Sequence, residues 1–311
     1  MASAIVATGK HKLTAITRIG SESKLTEGVT ASPVDYDNEE SLVNALRGQQ
    51  FLIISMSVRA PKDSESKIVA AADKAGVPWV MPTVYSPDIQ NEKLSYENIF
   101  GRTATRNIQN VKDTPGVSWI AMCCSFWYEF SLGIGPEWYG FDFENKKVTF
   151  IDDGNTKINT STWNQCGRAI ASLLSLKEYP EDENDRSPTI SQWRDSPLYI
   201  SSFLVSQRDM LDSVHRVLGT TDADWTIDHE ASDVRYQRGL DMMKQGGAQA
   251  QLGFMLCLYT RTFYPNGDGN FEAKYPLANE PLNLPKEDLD TATKRAVELF
   301  KGVTSHYRPR E

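Results

Sequence analysis

Before residue 125 the chain repeats one hydropathy pattern: an amphipathic stretch closes on glycine, and a short apolar, β-rich run follows within a few residues. The copies are Ala7-Thr-Gly9 with Leu13 to Thr17, Ala45-Leu-Arg-Gly48 with Phe51 to Ser55, Lys74-Ala-Gly76 with Val77 to Met81, and Pro115-Gly116 with Val117 to Met122. Glycine just past a helix takes the left-handed C-terminal position, and a run apolar on both faces suits a strand covered by helices on each side. Helices alternating with buried strands predict an α/β fold on a parallel sheet.

The first copy is incomplete. Met1 to Thr8 reads as the last turns of a helix, Gly9 as its stop and Leu13 to Thr17 as the strand that follows, with no strand ahead of the helix. In a dinucleotide-binding β-α-β unit that first strand leads into the Gly-rich turn, whose N–H groups and helix N-terminus hold the pyrophosphate. The expectation is therefore a Rossmann-type doubly wound parallel sheet missing its first strand, a strand and turn of about 15 residues. Either the sequence starts inside the unit or it is a shortened form that holds no cofactor. An α/β domain without any cofactor shows the same rhythm.

Past residue 125 the pattern changes. Aromatics crowd Phe126-Trp-Tyr-Glu-Phe130 and Trp138 to Phe143, and Asp152-Asp-Gly-Asn155 reads as a hairpin turn. The division is residues 1–125 as a truncated dinucleotide-binding domain and 126–311 as a smaller α+β substrate lobe, some segments of which return to the sheet. Thr162-Trp-Asn-Gln165 has capping-box spacing before a helix to Leu174, and Ser206-Gln-Arg-Asp209 opens a helix to Leu218. Further helices are expected over Asp233 to Gln245, Gln249 to Thr262 and Lys286 to Lys301, the last with Pro285 at its first turn. The acidic Tyr179 to Pro188 stretch reads as a surface loop. Tyr264-Pro-Asn-Gly-Asp-Gly-Asn270 lacks the spaced acidic ligands of a calcium loop and reads as a tight turn.

Acidic residues outnumber basic ones, 41 to 33, for a net charge of −8, and no basic stripe suggests nucleic acid as a partner. No apolar run reaches the roughly 20 residues of a membrane span. With no signal-peptide pattern at the start, a cytoplasmic protein acting on a small molecule is expected. Cys123, Cys124, Cys166 and Cys257 have no zinc spacing and read as structural thiols, so no metal is expected.

Candidate chemistry gathers where strands end, because open α/β sheets bind ligands at the carboxyl ends of their strands. Arg18 ends the strand after the first helix, where a guanidinium suits a 2′-phosphate and so NADP over NAD; a solvated strand-end arginine is the plainer alternative. Asp35 either meets the adenine edge or caps a turn. Ser55-Met56-Ser57-Val58 and Pro82-Thr83-Val84-Tyr85 are either nicotinamide neighbours or ordinary loops. Phe126, Trp127 and Tyr128 form either a wall for a flat apolar substrate or ordinary core.

The run Leu13 to Arg18, the pattern Val34-Asp-Tyr-Asp with Leu42 to Gly48, and Phe51 to Ser57 resemble the NmrA-like, isoflavone reductase-like branch of atypical short-chain dehydrogenases, fungal members above all. The likeness is sharpest at Tyr85-Ser-Pro-Asp88, Ser125-Phe-Trp-Tyr-Glu-Phe-Ser131, Gly140-Phe-Asp-Phe143, Asp153 to Trp163, Tyr199-Ile-Ser-Ser-Phe203 and Phe263 to Gly269, and it spans nearly the whole chain. The resemblance implies NADP(H) as cofactor and, in members that are enzymes, reduction of aromatic or other secondary-metabolite substrates. Other members bind the dinucleotide without turnover and act as redox-sensing regulators, which implies a protein partner.

Two departures qualify this. Family members open with a strand and a GxxGxxG-type turn, and this chain starts after both, so its activity is expected to be impaired as written. Reductases of the family also place a Lys four residues before an Arg beside the nicotinamide, and here the matching pair is Arg102 and Arg106. Arginine stays protonated, so Arg102 can hold a substrate oxygen or a phosphate yet cannot serve as a base. Tyr85 is the nearest other acid; Tyr96 precedes Phe100, so no Tyr-x-x-x-Lys pair forms there. The readings that remain are an NADPH-dependent reductase, a non-catalytic NADP(H)-sensing regulator and an inactive truncated form.

Overall fold

The glycine-closed helices and the apolar runs after them assemble into a layered α/β protein, seen in a computed structural model that describes residues 1–57 and 60–302. In chain order come α1 (Ala2–Ala7), β1 (Leu13–Arg18), β2 (Val29–Val34), α2 (Glu39–Leu46), β3 (Phe51–Ile53), α3 (Ser64–Ala75), β4 (Trp79–Met81), α4 (Glu92–Glu97), α5 (Phe100–Lys112) and β5 (Ser118–Cys123). Gly76 ends α3 in the left-handed conformation at φ 75°, as the sequence pattern requires.

Then follow β6 (Phe126–Trp127), α6 (Tyr128–Gly133), β7 (Phe141–Asp142), β8 (Lys147–Ile151), β9 (Ile158–Ser161), α7 (Trp163–Leu174), β10 (Ser196–Tyr199), β11 (Phe203–Val205), α8 (Gln207–Leu218), β12 (Thr226–Glu230), α9 (Ser232–Lys244), α10 (Gly247–Thr262) and α11 (Leu289–Gly302). Thr162 caps α7 through the Gln165 N–H, and Ser206 with Asp209 completes a reciprocal capping box at α8.

The parallel layer is in two pieces. β3, β4, β5 and β10 form a four-stranded sheet in the order β10-β5-β4-β3, and among the described residues β1 pairs only with β2. Helices cover both faces. On one, Leu42, Val43 and Leu46 of α2, Ile68 and Val69 of α3, and Ile108 and Val111 of α5 pack on Leu52, Val80 and Ala121. On the other, Ile5 of α1 and Ala169, Ile170 and Leu173 of α7 pack on Trp79, Met81 and Ile120.

The rest of the chain builds two small mixed sheets, β11-β9-β6 and β12-β8-β7. The expected hairpin at Asp152 to Asn155 does not form: β8 pairs with β7 and β12, β9 with β6 and β11. The turn is real, with Asp152 at φ 53° and Gly154 at φ 74°, but it passes the chain from one sheet to the other. Helix α11 begins at Leu289, beyond the expected Lys286, because Asp288 accepts the N–H of Thr291 and marks the start, leaving Pro285 ahead of the first turn.

The Tyr264 to Asn270 segment is a turn held by a buried cation. Arg261, 1% exposed, donates from Nε to Glu97 of α4 and from Nη2 to Asp268 at 2.7 Å. Asn91, the cap of α4, also donates to Asp268, at 2.8 Å. Removing one partner of a buried, hydrogen-bonded ion pair costs about 3–5 kcal/mol. Arg261→Ala should therefore lower unfolding stability by about that amount in urea titrations, against less than about 1 kcal/mol for Lys244→Ala in an exposed pair.

Candidate functional site

Because β3, β4 and β5 are parallel neighbours, their carboxyl ends open on one edge, where the chain runs on as Ile54–Ser57, Pro82–Tyr85 and Cys124–Ser125. One side chain ties the first two segments together. Thr83 Oγ1 donates to the Ile54 carbonyl at 3.2 Å and itself accepts the Met56 N–H at 3.3 Å. The Thr83 N–H donates to Glu65 Oε1 at 2.9 Å, and its carbonyl accepts Asn107 Nδ2 at 2.9 Å. So α3, α5 and the ends of β3 and β4 meet at Thr83. Burial raises the Glu65 carboxyl above its ordinary range, opposed by its Thr83 hydrogen bonds and by the charge of Arg106.

Backbone strain marks the same edge. Tyr85 and Ser125 are non-glycine residues at φ 26° and 54°, a costly conformation that persists where surrounding structure imposes it and that clusters at functional sites. Ser125 Oγ, buried beside this strain, has no hydrogen-bond partner among the described residues. Tyr85 donates its hydroxyl to the Ile54 carbonyl at 3.1 Å. Burial drives that phenol far above its ordinary pKa, with Cys124, Glu65 and Cys166 adding to the shift, so it keeps its proton throughout the physiological range.

The other candidates separate into those at this edge and those elsewhere. Arg18 and Asp35 end neighbouring strands, since Arg18 pairs with Val34 in the β1–β2 register. Arg18 is exposed and acts on Tyr36, whose phenol burial raises and the arginine charge lowers. Asp35 accepts the Asp37 N–H, which is its turn role. Ser55 and Ser57 are exposed, Met56 half-buried, and Val58 lies outside the described residues. Val84 is wholly buried in the core, so only its backbone reaches the edge. Arg102 is exposed, its guanidinium 4.2 Å from the centre of the Tyr96 ring and its Nε donating to the Tyr96 carbonyl at 3.2 Å. To polarise a substrate oxygen it has to leave that seat.

The aromatic trio divides too. Phe126 stacks on Tyr259 with centroids 3.9 Å apart, and Tyr128 is buried with its hydroxyl bonded to Thr293, so both belong to the core. Trp127 is exposed and meets Phe130, which in turn meets the exposed Trp163 at the first position of α7. Behind this surface lies Glu129, 3% exposed, accepting the Trp163 N–H at 3.2 Å. Burial raises its carboxyl, with the Trp163 hydrogen bond and Arg295 opposing. The residue pattern alone does not reveal Glu65 or Glu129. Their only signals are a glutamate in the first turn of α3 and another inside an aromatic run. Among the described residues no group of His, Cys, Asp and Glu is placed to hold a metal ion, and no helix is long and apolar enough to cross a membrane.

The raised Glu129 carboxyl has a thermodynamic consequence. Its folded-state pKa lies above 4.5, so the folded chain holds the proton more tightly than the unfolded one, and stability falls as pH climbs from the unfolded value through the folded one. Glu129→Gln keeps an acceptor for Trp163 and removes that penalty. It should raise the melting temperature at pH 8 by about 2–4 °C per kcal/mol relieved and leave it nearly unchanged at pH 4.5, as read by scanning calorimetry at the two pH values.

No family model matches the sequence. The chain is similar to the oxidoreductase aprR of Aspergillus flavus, 22% identical over 285 residues covering 90% of this chain and 88% of that protein. In fold it is similar to the crystal structure of an isoflavone reductase, with a TM-score of 0.68 at 17% identity over 96% of this chain and 94% of that one. It is also similar to AtPrR2 with NADP+ and (+)pinoresinol, at TM-score 0.70, 13% identity and coverage of 94% and 93%. The NADPH-dependent quinone oxidoreductase QOR2 of Escherichia coli, complexed with NADPH, gives 0.64 at 14% identity, with 94% and 93% covered. In sequence the chain is thus similar to a fungal oxidoreductase, and its fold is similar to that of these solved reductases.

Proposed function

We propose that the chain is a cytoplasmic NADPH-dependent reductase of an aromatic or other flat small molecule. Support comes foremost from the strand-end edge, where two loops are cross-tied at Thr83 beside strained backbones while Arg18 stands at the end of β1. The residues suit the two ends of a dinucleotide. Arg18, a planar always-charged fork, would take the 2′-phosphate and Asp35 the adenine edge, while Ser55, Met56, Ser57, Thr83 and the Val84 backbone would border the nicotinamide. When bound, the cofactor supplies a hydride to the acceptor. The chain's own residues then orient and exclude water: Trp127 with Phe130 and Trp163 offers a flat apolar surface, and Arg102, once off Tyr96, steadies the acceptor oxygen. Solved structures of similar fold hold NADP+ and NADPH, which supports the cofactor choice.

A second reading is a non-catalytic NADP(H)-sensing regulator with a protein partner. It is favoured by the engagement of both candidate catalytic groups, Arg102 with Tyr96 and Tyr85 with the Ile54 carbonyl.

Calorimetric titration of NADPH and NADH, followed by NADPH oxidation with menadione as acceptor, separates the readings. Tighter binding of NADPH than NADH together with turnover supports the reductase. Binding without turnover across a panel of quinones and enones supports the regulator. No binding rejects both for this chain and leaves the inactive form. Arg18→Ala should weaken NADPH about tenfold, the worth of one charge-assisted contact of about 1.4 kcal/mol, and leave NADH unchanged.

A further inference from the structure

We propose that one exposed face of α5 is a binding site for the carboxylate of a small aromatic molecule, with Arg102 and Arg106 as its cations. The two arginines are both exposed and stand four residues apart on α5, which puts their Cβ atoms about 5–6 Å from each other on one helix face. Like charges at that spacing repel. Elsewhere the chain uses it for opposite charges, as in Asp63 with Lys67 and Arg208 with Asp212. Among the described residues no carboxylate lies in ion-pair range of Arg102 or Arg106, although acidic residues outnumber basic ones 41 to 33. Arg168, Arg208, Arg216, Arg235, Arg238 and Arg261 each hold one.

Two solvated arginines would be loose, and here the first is held in place. Arg102 rests its guanidinium 4.2 Å from the centre of the Tyr96 ring and gives its Nε–H at 3.2 Å to the Tyr96 carbonyl, in the last turn of α4. A cation is favoured at a helix C-terminus, and the ring and the carbonyl together fix the inner edge of the fork. Among the described residues no hydrogen bond engages either Nη, so the outer end of the fork keeps its N–H groups free. A planar carboxylate takes two parallel N–H donors from such an end. A fork ordered beforehand also loses less freedom on binding than a loose one. The anion reaches it without moving Arg102 from Tyr96, so this seat is a binding position in its own right, separate from the acceptor role that requires Arg102 to leave.

The surroundings select the rest of the ligand. Tyr96 is 65% exposed, and Arg102 lies within electrostatic reach of Tyr236 on α9, whose hydroxyl donates to the Glu97 carbonyl at 2.6 Å. A ring carried by the carboxylate therefore has phenol rings beside it to meet in offset or edge-on contact. Two acidic groups near the arginines are already engaged. Glu97 is held by Arg261, and Glu65, 6% exposed, takes the Thr83 N–H within reach of the Arg106 charge. Neither neutralises the pair, and an incoming carboxylate does.

Calorimetric titration of the full chain, without cofactor, tests this with four probes: 2-naphthoate, its uncharged counterpart 2-naphthalenemethanol, acetate and inorganic phosphate. 2-Naphthoate should bind about tenfold or more tightly than each of the others. Arg102→Ala should weaken it about tenfold, the loss expected for a charge-assisted contact. Arg102→Lys, which keeps the charge and loses the fork, should weaken it about threefold or more, as should Arg106→Ala and Tyr96→Ala. Arg47→Ala, at an exposed arginine outside α5, should leave it unchanged. All four positions are exposed, and circular dichroism checks that each variant is folded. Absence of 2-naphthoate binding, equal binding of the alcohol or of acetate, full binding by Arg102→Ala, or an equal loss in Arg47→Ala overturns the proposal. Phosphate as the tightest probe also overturns it and marks a phosphate seat instead. The titration needs neither NADPH nor turnover, so its failure leaves the reductase reading untouched, and failure of that reading leaves this site standing.

Discussion

The contact between the Glu65 carboxylate and the Thr83 amide is the one on which the candidate site depends. A loop after a short buried strand has few backbone partners of its own, and β3 and β4 are each only three residues long. Glu65, in the first turn of α3, reaches across to hold the amide of Thr83, and Thr83 passes the constraint to Ile54 and Met56 through its hydroxyl and to Asn107 through its carbonyl. Helices on one face of the layer thereby set the shape of the edge where strands end. The strained φ values of Tyr85 and Ser125 are tolerable because this framework and the Ser125–Ser86 backbone bond leave them little choice.

Features written in local chemistry were legible in the sequence. The glycines at 9, 48 and 76 and the caps at Thr162 and Ser206 each depend on a few adjacent residues and appear where the pattern places them, whereas α5 ends at Lys112 with Asp113 as its cap and Gly116 lies beyond it outside the left-handed region. Pairing partners were not legible. The Asp152 turn has hairpin chemistry, yet β8 and β9 go to different sheets because distant strands, β12 and β11, complete them. Nor could composition divide the aromatic run. Phe126 and Tyr128 are claimed by Tyr259 and Thr293 from α10 and α11, more than a hundred residues away, while Trp127 faces outward.

The candidate site divides along similar lines. Arg18, Asp35 and the two loops lie at strand ends because strand direction follows from the βα rhythm. The positions of Glu65 and Glu129 depend on which helix face turns inward and on what long-range packing encloses them. The same packing draws Arg102 onto Tyr96 at the α4–α5 junction, a local attraction that its place in a resembling motif does not reveal.

The Arg261 cluster has a bearing on motion. It joins Glu97, two residues before the strained Ile99, to Asp268 in a turn that follows α10. A desolvated guanidinium shared by two carboxylates behaves as a rivet: any hinge opening at that point would drag a charge out of its paired setting at a cost of several kcal/mol. Helix α4 and the turn after α10 are therefore fastened to each other at one point, and neither can shift without the other.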